Sequence, residues 1–364
     1  MRAILHNRLF QLVAVLAIAM LMTHFGIIDH ATAGAGGLLL VGLGETGGGS
    51  AFSVNPDLTP IAIGYRNTSQ SLIGDKVLPE VGTGKRFKYT KYSIGQAYTV
   101  PDTKVGRRSA PNQVEFTGQS FEDEVVDYGL KDGVPQSDLD AFNAMPKPAS
   151  SGPLSPMEIS TMMTTDLILL SREVRMANLI FNAASYGASN QIDLNAQGNK
   201  KFTDKTSTPL DLILESLDKC IVRPNTLTIG RVAFSALRAH PQIVQAYFKT
   251  AQSGGIVPAQ AIADLFELEQ ILIGEAWVNT AKKGQAVNLV RTWGPHCSFI
   301  NRSGQAAQLG QPTFGFVAKF GDREVMTQFD KDIGSHGGQE VRVVERLKEV
   351  ITAPEGGFYM ANCA

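Results

Sequence analysis

Charge is scarce in this chain. Lys, Arg, Asp and Glu make up 18% of its 364 residues, against about a quarter in ordinary soluble domains. The 33 basic and 34 acidic residues cancel, so no global excess points to nucleic acid. A low charge fraction suits a chain that buries much of its surface against other chains. A Gly-rich loop protein would read the same way, and there are 36 glycines. Cysteine is scarcer still. Cys220, Cys297 and Cys363 are odd in number and far apart, which argues against a disulfide framework or a zinc cluster. They read as reduced thiols in a protein that folds in a cytoplasm. Outside the first 34 residues the histidines are His240, His296 and His336, none in an H-E-x-x-H or i,i+4 pair. His296 and Cys297 are sequence neighbours, whereas a catalytic Cys/His pair is assembled by the fold from distant positions. There is no G-x-S-x-G and no P-loop. Trp277 and Trp293 read as packing anchors. The residues offer no metal, no cofactor and no catalytic set, and the expectation is a protein that is not an enzyme.

No apolar run reaches the roughly 20 residues of a membrane span. Residues 9–22 come nearest. They follow Arg2 and Arg8 and precede Ala31-Thr32-Ala33, the pattern of a secretory signal peptide. The alternatives are an over-extended start codon and a segment removed by another protease. No methionine lies between Met22 and Met145, which favours processing, so residues 1–34 are expected to be a removable leader. Next, Leu38-Leu39-Leu40-Val41 resembles a strand, and Gly42, Gly44 and Gly47 match G-x-G-x-x-G. That fingerprint needs a helix behind it to hold a pyrophosphate. Gly48-Gly49-Ser50 follows instead, so the stretch reads as an arm.

Residues 155–187 organise the rest. Ser155, Pro156 and Glu158 form a capping-box start. Ile159, Met163, Leu167, Leu170, Val174, Ala177, Phe181 and Ala184 then recur at three or four. The spacing predicts one helix over 156–186, roughly 46 Å long at about 1.5 Å per residue, with that stripe inward. Arg172, Glu173 and Arg175 have the spacing of a solvated, self-paired face.

Residues 86–92 alternate charge with aromatics, as a two-faced strand does, and a second strand is drawn around 97–100. Lys85, Arg86, Lys88, Lys91, Lys104, Arg107 and Arg108 face one acid, Asp102, in this region. The sign then reverses: Glu115, Glu122, Asp123, Glu124 and Asp127 come with no base among them. Three readings stand. Basic residues interleaved with aromatics form a nucleic-acid platform, against which the acidic block argues by repelling phosphate. A hairpin with two signs can lie as a flap over a second copy. It can also be a solvated edge whose charges discourage aggregation. Further on, helices are expected from residue 209, over 231–239 and 241–249 with a break at His240-Pro241, and over 259–268. Strands are expected at 226–229, 270–278, 287–290, 298–300, 314–320 and 341–344, and the apolar end 356–360 in a sheet. With no regular βαβ repeat, the class is α+β.

Four stretches resemble the major capsid proteins of tailed bacteriophages. They are Phe87-Lys88-Tyr89 running on to Val100-Pro101-Asp102-Thr103 and Val105-Gly106-Arg107-Arg108-Ser109; Val114-Glu115-Phe116 with Asp127-Tyr128-Gly129-Leu130; Leu237-Arg238-Ala239-His240-Pro241; and Ile273-Gly274-Glu275-Ala276 with Val290-Arg291-Thr292-Trp293-Gly294. The resemblance implies the Hong Kong-type capsid fold. An N-terminal arm would occupy 35–82, an extended loop 83–126, and a peripheral domain with the spine helix 127–225. An axial domain would take 226–334, and 335–364 would return to the peripheral domain. It further implies other copies of the chain as partners, in hexamers and pentamers, with a portal, a scaffold or maturation protease, a decoration protein and non-specific contact with packaged DNA. The location implied is a virion capsid assembled in a host bacterial cytoplasm. The leader fits this least, and on its own favours a secreted or periplasmic binding protein.

Overall fold

The computed structural model describes residues 53–65, 71–92, 98–114, 118–145, 153–248, 255–303 and 313–364. All lie in one unit, Phe52–Ala364. The leader, the Gly42/Gly44/Gly47 fingerprint and Glu115 lie outside the described residues.

The helices are α1 (Thr59–Gly64), α2 (Gly74–Val77), α3 (Gln136–Ala144), α4 (Pro156–Ile180), α5 (Pro209–Asp218), α6 (Arg231–Arg238), α7 (Pro241–Phe248) and α8 (Ala259–Phe266). The strands of the first half are β1 (Ser53–Val54), β2 (Glu80–Gly82), β3 (Arg86–Tyr92), β4 (Gly118–Glu124), β5 (Val126–Pro135), β6 (Gln191–Asp193) and β7 (Thr226–Gly230). Those of the second are β8 (Gln270–Gly274), β9 (Trp277–Asn279), β10 (Leu289–Arg291), β11 (Cys297–Ile300), β12 (Gly315–Lys319), β13 (Glu324–Asp330), β14 (Gly338–Ile351) and β15 (Gly357–Ala361).

Two sheets carry the structure. One runs β1-β13-β14-β12-β2, with β5 also paired to β14, and α4 packs on β5 and β14. The other runs β6-β15-β11-β7-β8, with β7 and β8 parallel and α6, α7 and α8 in the connection between them. Every residue of β7 is buried. Leu227, Ile229, Phe234, Phe266, Phe299 and Met360 form the centre of that second core. Pairs β3-β4 and β9-β10 stand as separate two-stranded ribbons. The class is α+β, as the mixed spacing indicates.

The long helix begins as its residues dictate. Ser155 Oγ accepts from Glu158 N at 3.2 Å, and the Glu158 carboxylate accepts from Ser155 N at 2.7 Å. It ends at Ile180 rather than at Tyr186. Asn182 takes extended angles (φ −119°, ψ 124°), and its Oδ1 accepts from Ala184 N, opening a separate 3-10 turn at Ala183–Ser185. A side chain that satisfies a nearby N–H outside the helix competes with helix continuation. The rod is therefore about 37 Å long.

The faces of α4 are the second correction. Ile159, Met163 and Leu167, expected inward, are 43%, 65% and 58% exposed. Ser160, Thr161, Thr164, Thr165 and Ile168 are buried instead. These hydroxyls are kept satisfied inside: Thr161 donates to Met157 O, Thr165 to Thr161 O, and Ser160 to Asp132. Small residues whose hydroxyls bond locally can be buried at little cost, so the apolar row is left to face outward. Further along, Arg172 and Glu173, read as solvated, are buried.

Two strand expectations also shift. Residues 98–114 contain no strand, and β3 pairs with β4. The expected strand 270–278 is two strands, β8 and β9, divided at Glu275-Ala276. His240-Pro241 separates α6 from α7, and β15 holds the C-terminal end in the second sheet.

Candidate functional site

The β3-β4 ribbon brings the two signs of charge face to face. Its register sets Arg86 opposite Glu124, Phe87 opposite Asp123, Lys88 opposite Glu122 and Tyr89 opposite Phe121. Lys85 and Arg86 each lie 3.5 Å from Glu124, and Lys88 lies 3.6 Å from Glu122. Exposed pairs of this kind contribute about 0–1 kcal/mol each; they neutralise the base of the ribbon rather than stabilise it much. Lys91 lies over the rings of Phe121 and Tyr89, 5.2 and 5.8 Å from their centres. Phe87 anchors the base, buried with Val125, Ala318 and Val350 and edge-on to Phe316. Asp123 meets Lys348 of β14 at 2.5 Å. Partial burial raises the Asp123 carboxyl, but the Lys348 ammonium and the Glu124 amide outweigh it and hold the group below its ordinary value.

Beyond that base the ribbon continues into residues 98–114, an exposed stretch without helix or strand beyond its first residue. Lys104, Arg107 and Arg108 are exposed there, and none has a side-chain partner among the described residues. Asp102 is occupied by the Lys104 amide at 2.9 Å. Asp127 is exposed on β5 opposite Arg346, which pairs instead with Glu324. The sequence thus places seven cations together, and the structure divides them: Lys85, Arg86 and Lys88 meet carboxylates at the base, Lys91 lies over two rings, and Lys104, Arg107 and Arg108 have no side-chain partner among the described residues.

Glu173, expected on a solvated face of α4, lies instead at the centre of a buried network. It is 1% exposed. Its carboxylate accepts from Ile73 N at 3.0 Å, from Gly74 N at 2.5 Å and from Trp293 Nε1 at 2.5 Å. Burial raises its carboxyl above the ordinary range, against which these three donors work. It ties α4 to the start of α2 and to the turn carrying Trp293. Its neighbour Arg172 reaches Glu80 of β2 at 2.7 Å. Arg175 lies 3.3 Å from Glu349 and stacks over Tyr128. No sequence spacing announces such links, since the partners lie from 47 to 174 residues away.

Nothing in the described residues performs chemistry. The Cys297 and Cys363 sulfurs are 3.4 Å apart as free thiols, and burial pushes the Cys297 thiol well up, the opposite of an activated nucleophile. His296 turns its Nδ1 to accept from Asn362 N at 3.0 Å. It lines a cleft of about 740 Å³ together with Phe181, Asp193, Arg291 and Tyr359, and none of these is a nucleophile beside a base. Among the described residues no group of three metal-binding side chains occurs, and no helix is long and apolar enough to cross a membrane.

A rod laid on one sheet, a second sheet with its own core and a charged ribbon match the parts expected of the Hong Kong-type fold. No protein-family model matches the chain. Over 312 residues it is 45% identical to the major capsid protein of Pseudomonas phage JBD67, spanning 85% of this chain and 97% of that protein. Over 276 residues it is 29% identical to the major capsid protein of Burkholderia phage BcepMu, spanning 73% and 83%. The crystal structure of a phage-related protein from Bordetella bronchiseptica shares the fold, with a TM-score of 0.63 at 20% identity over 86% of this chain and 98% of that one. The chain belongs to the phage major capsid proteins. It is a structural protein of the virion and not an enzyme, and these relatives give no support to a secreted binding protein.

Proposed function

We propose that the chain assembles with copies of itself into the hexamers and pentamers of an icosahedral phage head around double-stranded DNA, in the host cytoplasm. The observation that carries this is the apolar row Ile159, Met163 and Leu167 on the outer face of α4, in a subunit whose ribbon leads to cations that have no side-chain partner among the described residues. Monomeric proteins seldom leave such a row uncovered. In this reading the ribbon, residues 83–126, lies across a neighbouring copy. Lys104, Arg107 and Arg108 supply its interface charge, because the base charges already satisfy one another. The peripheral part is then α4 with the first sheet, and the axial part is the second sheet with α5–α8. That division follows strand pairing, so β12 and β13 go with the peripheral part. Portal, scaffold or protease, and decoration protein are further partners consistent with this role.

Negative-stain microscopy of the full-length expressed protein tests the reading, and closed shells are expected. A monodisperse monomer at high concentration across salt and pH would refute it. Reversing the charge of Arg107 and Arg108 together is expected to slow shell formation and flatten its salt dependence, since rim charges act mainly on association rate. The thermal melt of the subunit should be unchanged. Unaltered assembly with lost DNA binding would instead support the nucleic-acid reading of the ribbon.

A further inference from the structure

The β9-β10 ribbon leaves the second sheet at the end of β8 with little to support it. A lone two-stranded ribbon is marginal in water. Here Trp277 is 43%, Val287 71% and Leu289 57% exposed. Arg291 lies over the Trp277 ring, 4.3 Å from its centre. Residues 276–291 contain Lys282, Lys283 and Arg291 and no acid. Lys282 and Lys283 stand exposed at the turn, where Gly284 has φ 88°, and neither has a side-chain partner among the described residues.

The opposite sign gathers at the other end of β8. Glu267 closes α8 in the left-handed region, and Glu269 immediately precedes the strand. Arg223 links Asp218, at the end of α5, to Glu267, at 2.9 and 3.3 Å, and Lys219 pairs with Glu215 at 2.9 Å. Four carboxylates against those two cations and Arg302, whose backbone Asn225 holds beside Glu269, leave this edge at a net −1. The exposed side chain of Ile221 lies in the same segment, between Lys219 and Arg223. One strand thus separates a basic, apolar ribbon from an acidic edge with an apolar residue of its own.

We infer that the β9-β10 ribbon of one copy docks on the edge formed by Glu267, Glu269, Asp218 and Ile221 of the next. Lys282 and Lys283 meet the carboxylates, and the uncovered Trp277, Val287 and Leu289 pack toward Ile221. A contact between two different patches of one chain is heterologous, and successive copies close into a ring when the rotation allows. Like-charged edges on mispaired copies repel, so the same residues fix orientation. This contact presupposes the shell-forming reading above.

Charge exchange on the full-length chain tests it. Lys282→Glu with Lys283→Glu, and separately Glu267→Lys with Glu269→Lys, are each expected to slow shell formation at least about tenfold at low salt. The subunit melt should be retained in both. Combining all four substitutions is expected to restore the rate to near that of the unsubstituted protein. Single reversals without effect would overturn the inference, and so would two slow variants whose combination stays slow. Loss of DNA retention from the Lys282/Lys283 variant at an unchanged assembly rate would assign the ribbon to nucleic acid and also overturn it. If the unsubstituted protein forms no shells, the assembly reading falls and this contact with it; if shells form and only the exchange fails, the assembly reading survives.

Discussion

Replacing Glu173 by Ala is expected to cost about 3–5 kcal/mol of subunit stability, because truncating the acceptor leaves three buried donors unsatisfied, at about 1–3 kcal/mol each. Three donors converge on this carboxylate: the amides of Ile73 and Gly74 and the indole of Trp293. None can turn to water, since Trp293 is fully buried and Gly74 sits where an added Cβ would come within 2.7 Å of the Glu173 side chain. Glu173→Gln should not rescue, because an amide would present N–H to atoms that are themselves donors. The pH dependence has a definite sign. Burial is the largest influence on Glu173 and raises its carboxyl in the folded chain. A group raised on folding adds stability that is complete below its unfolded value and is lost as pH climbs through the folded one. The charge of Asp75 on α2 also acts on it and pushes the same way. Urea unfolding of the free subunit should therefore show the gap between the unsubstituted chain and Glu173→Ala widening as pH falls from neutral. A gap that narrows would mean that the three donors, not burial, set the titration.

Where the sequence was legible, the signal was local. The capping box of α4, the break at His240-Pro241 and the apolar C-terminal strand each depend on residues within a few positions of one another. The family resemblance was legible for the same reason, as short motifs in order. The orientation of the first half of α4 was not, although Ala177 further along the same stripe is buried. A stripe at three-four spacing ordinarily faces the core, but here Thr161, Thr164 and Thr165 take that place and Ile159, Met163 and Leu167 are left outside. In a subunit that is one piece of a shell, an apolar row is as easily an interface as a core. Periodicity cannot tell the two apart. The ribbon shows a related limit. Counting charge along the chain separates a basic block from an acidic one, whereas antiparallel pairing sets Arg86 against Glu124 and Lys88 against Glu122. Lys104, Arg107 and Arg108, outside the paired stretch, keep the meaning the count suggested, and within it Lys91, opposite Gln119, meets rings rather than an acid. Glu173 left no trace at all, because its partners are long-range backbone amides and one indole.

Gly230→Ala is the second substitution expected to have a large effect, about 3 kcal/mol, at the upper end of the range for overpacking a filled core. Gly230 and Gly274 are paired residues at the ends of the parallel strands β7 and β8. Together they leave a slot in which the Trp293-Gly294 backbone and the Trp293 ring lie. A Cβ on Gly230 would collide with the carbonyl oxygen of Gly294 and come within 2.6 Å of that of Trp293. The Gly230 amide is meanwhile held by His296 O at 3.0 Å, so the strand cannot back away without giving up that bond. A Cβ on Gly274 would collide with the Trp293 side chain rather than with backbone, reaching within 2.5 Å of its Cβ. The two glycines should therefore respond differently to one second-site change. Trp293→Ala, itself costly through the lost indole bond to Glu173, removes the Cγ and Cδ1 that a Gly274 Cβ would strike, and should relieve part of Gly274→Ala, giving a coupling of about 1–3 kcal/mol between neighbours in contact. It should leave Gly230→Ala unrelieved and close to additive, because a backbone carbonyl remains whatever side chain follows it. Denaturant melts of the three single and two double variants separate the cases. Equal coupling at both glycines would show that the slot yields as a unit and that the carbonyls of Trp293 and Gly294 are not its rigid wall.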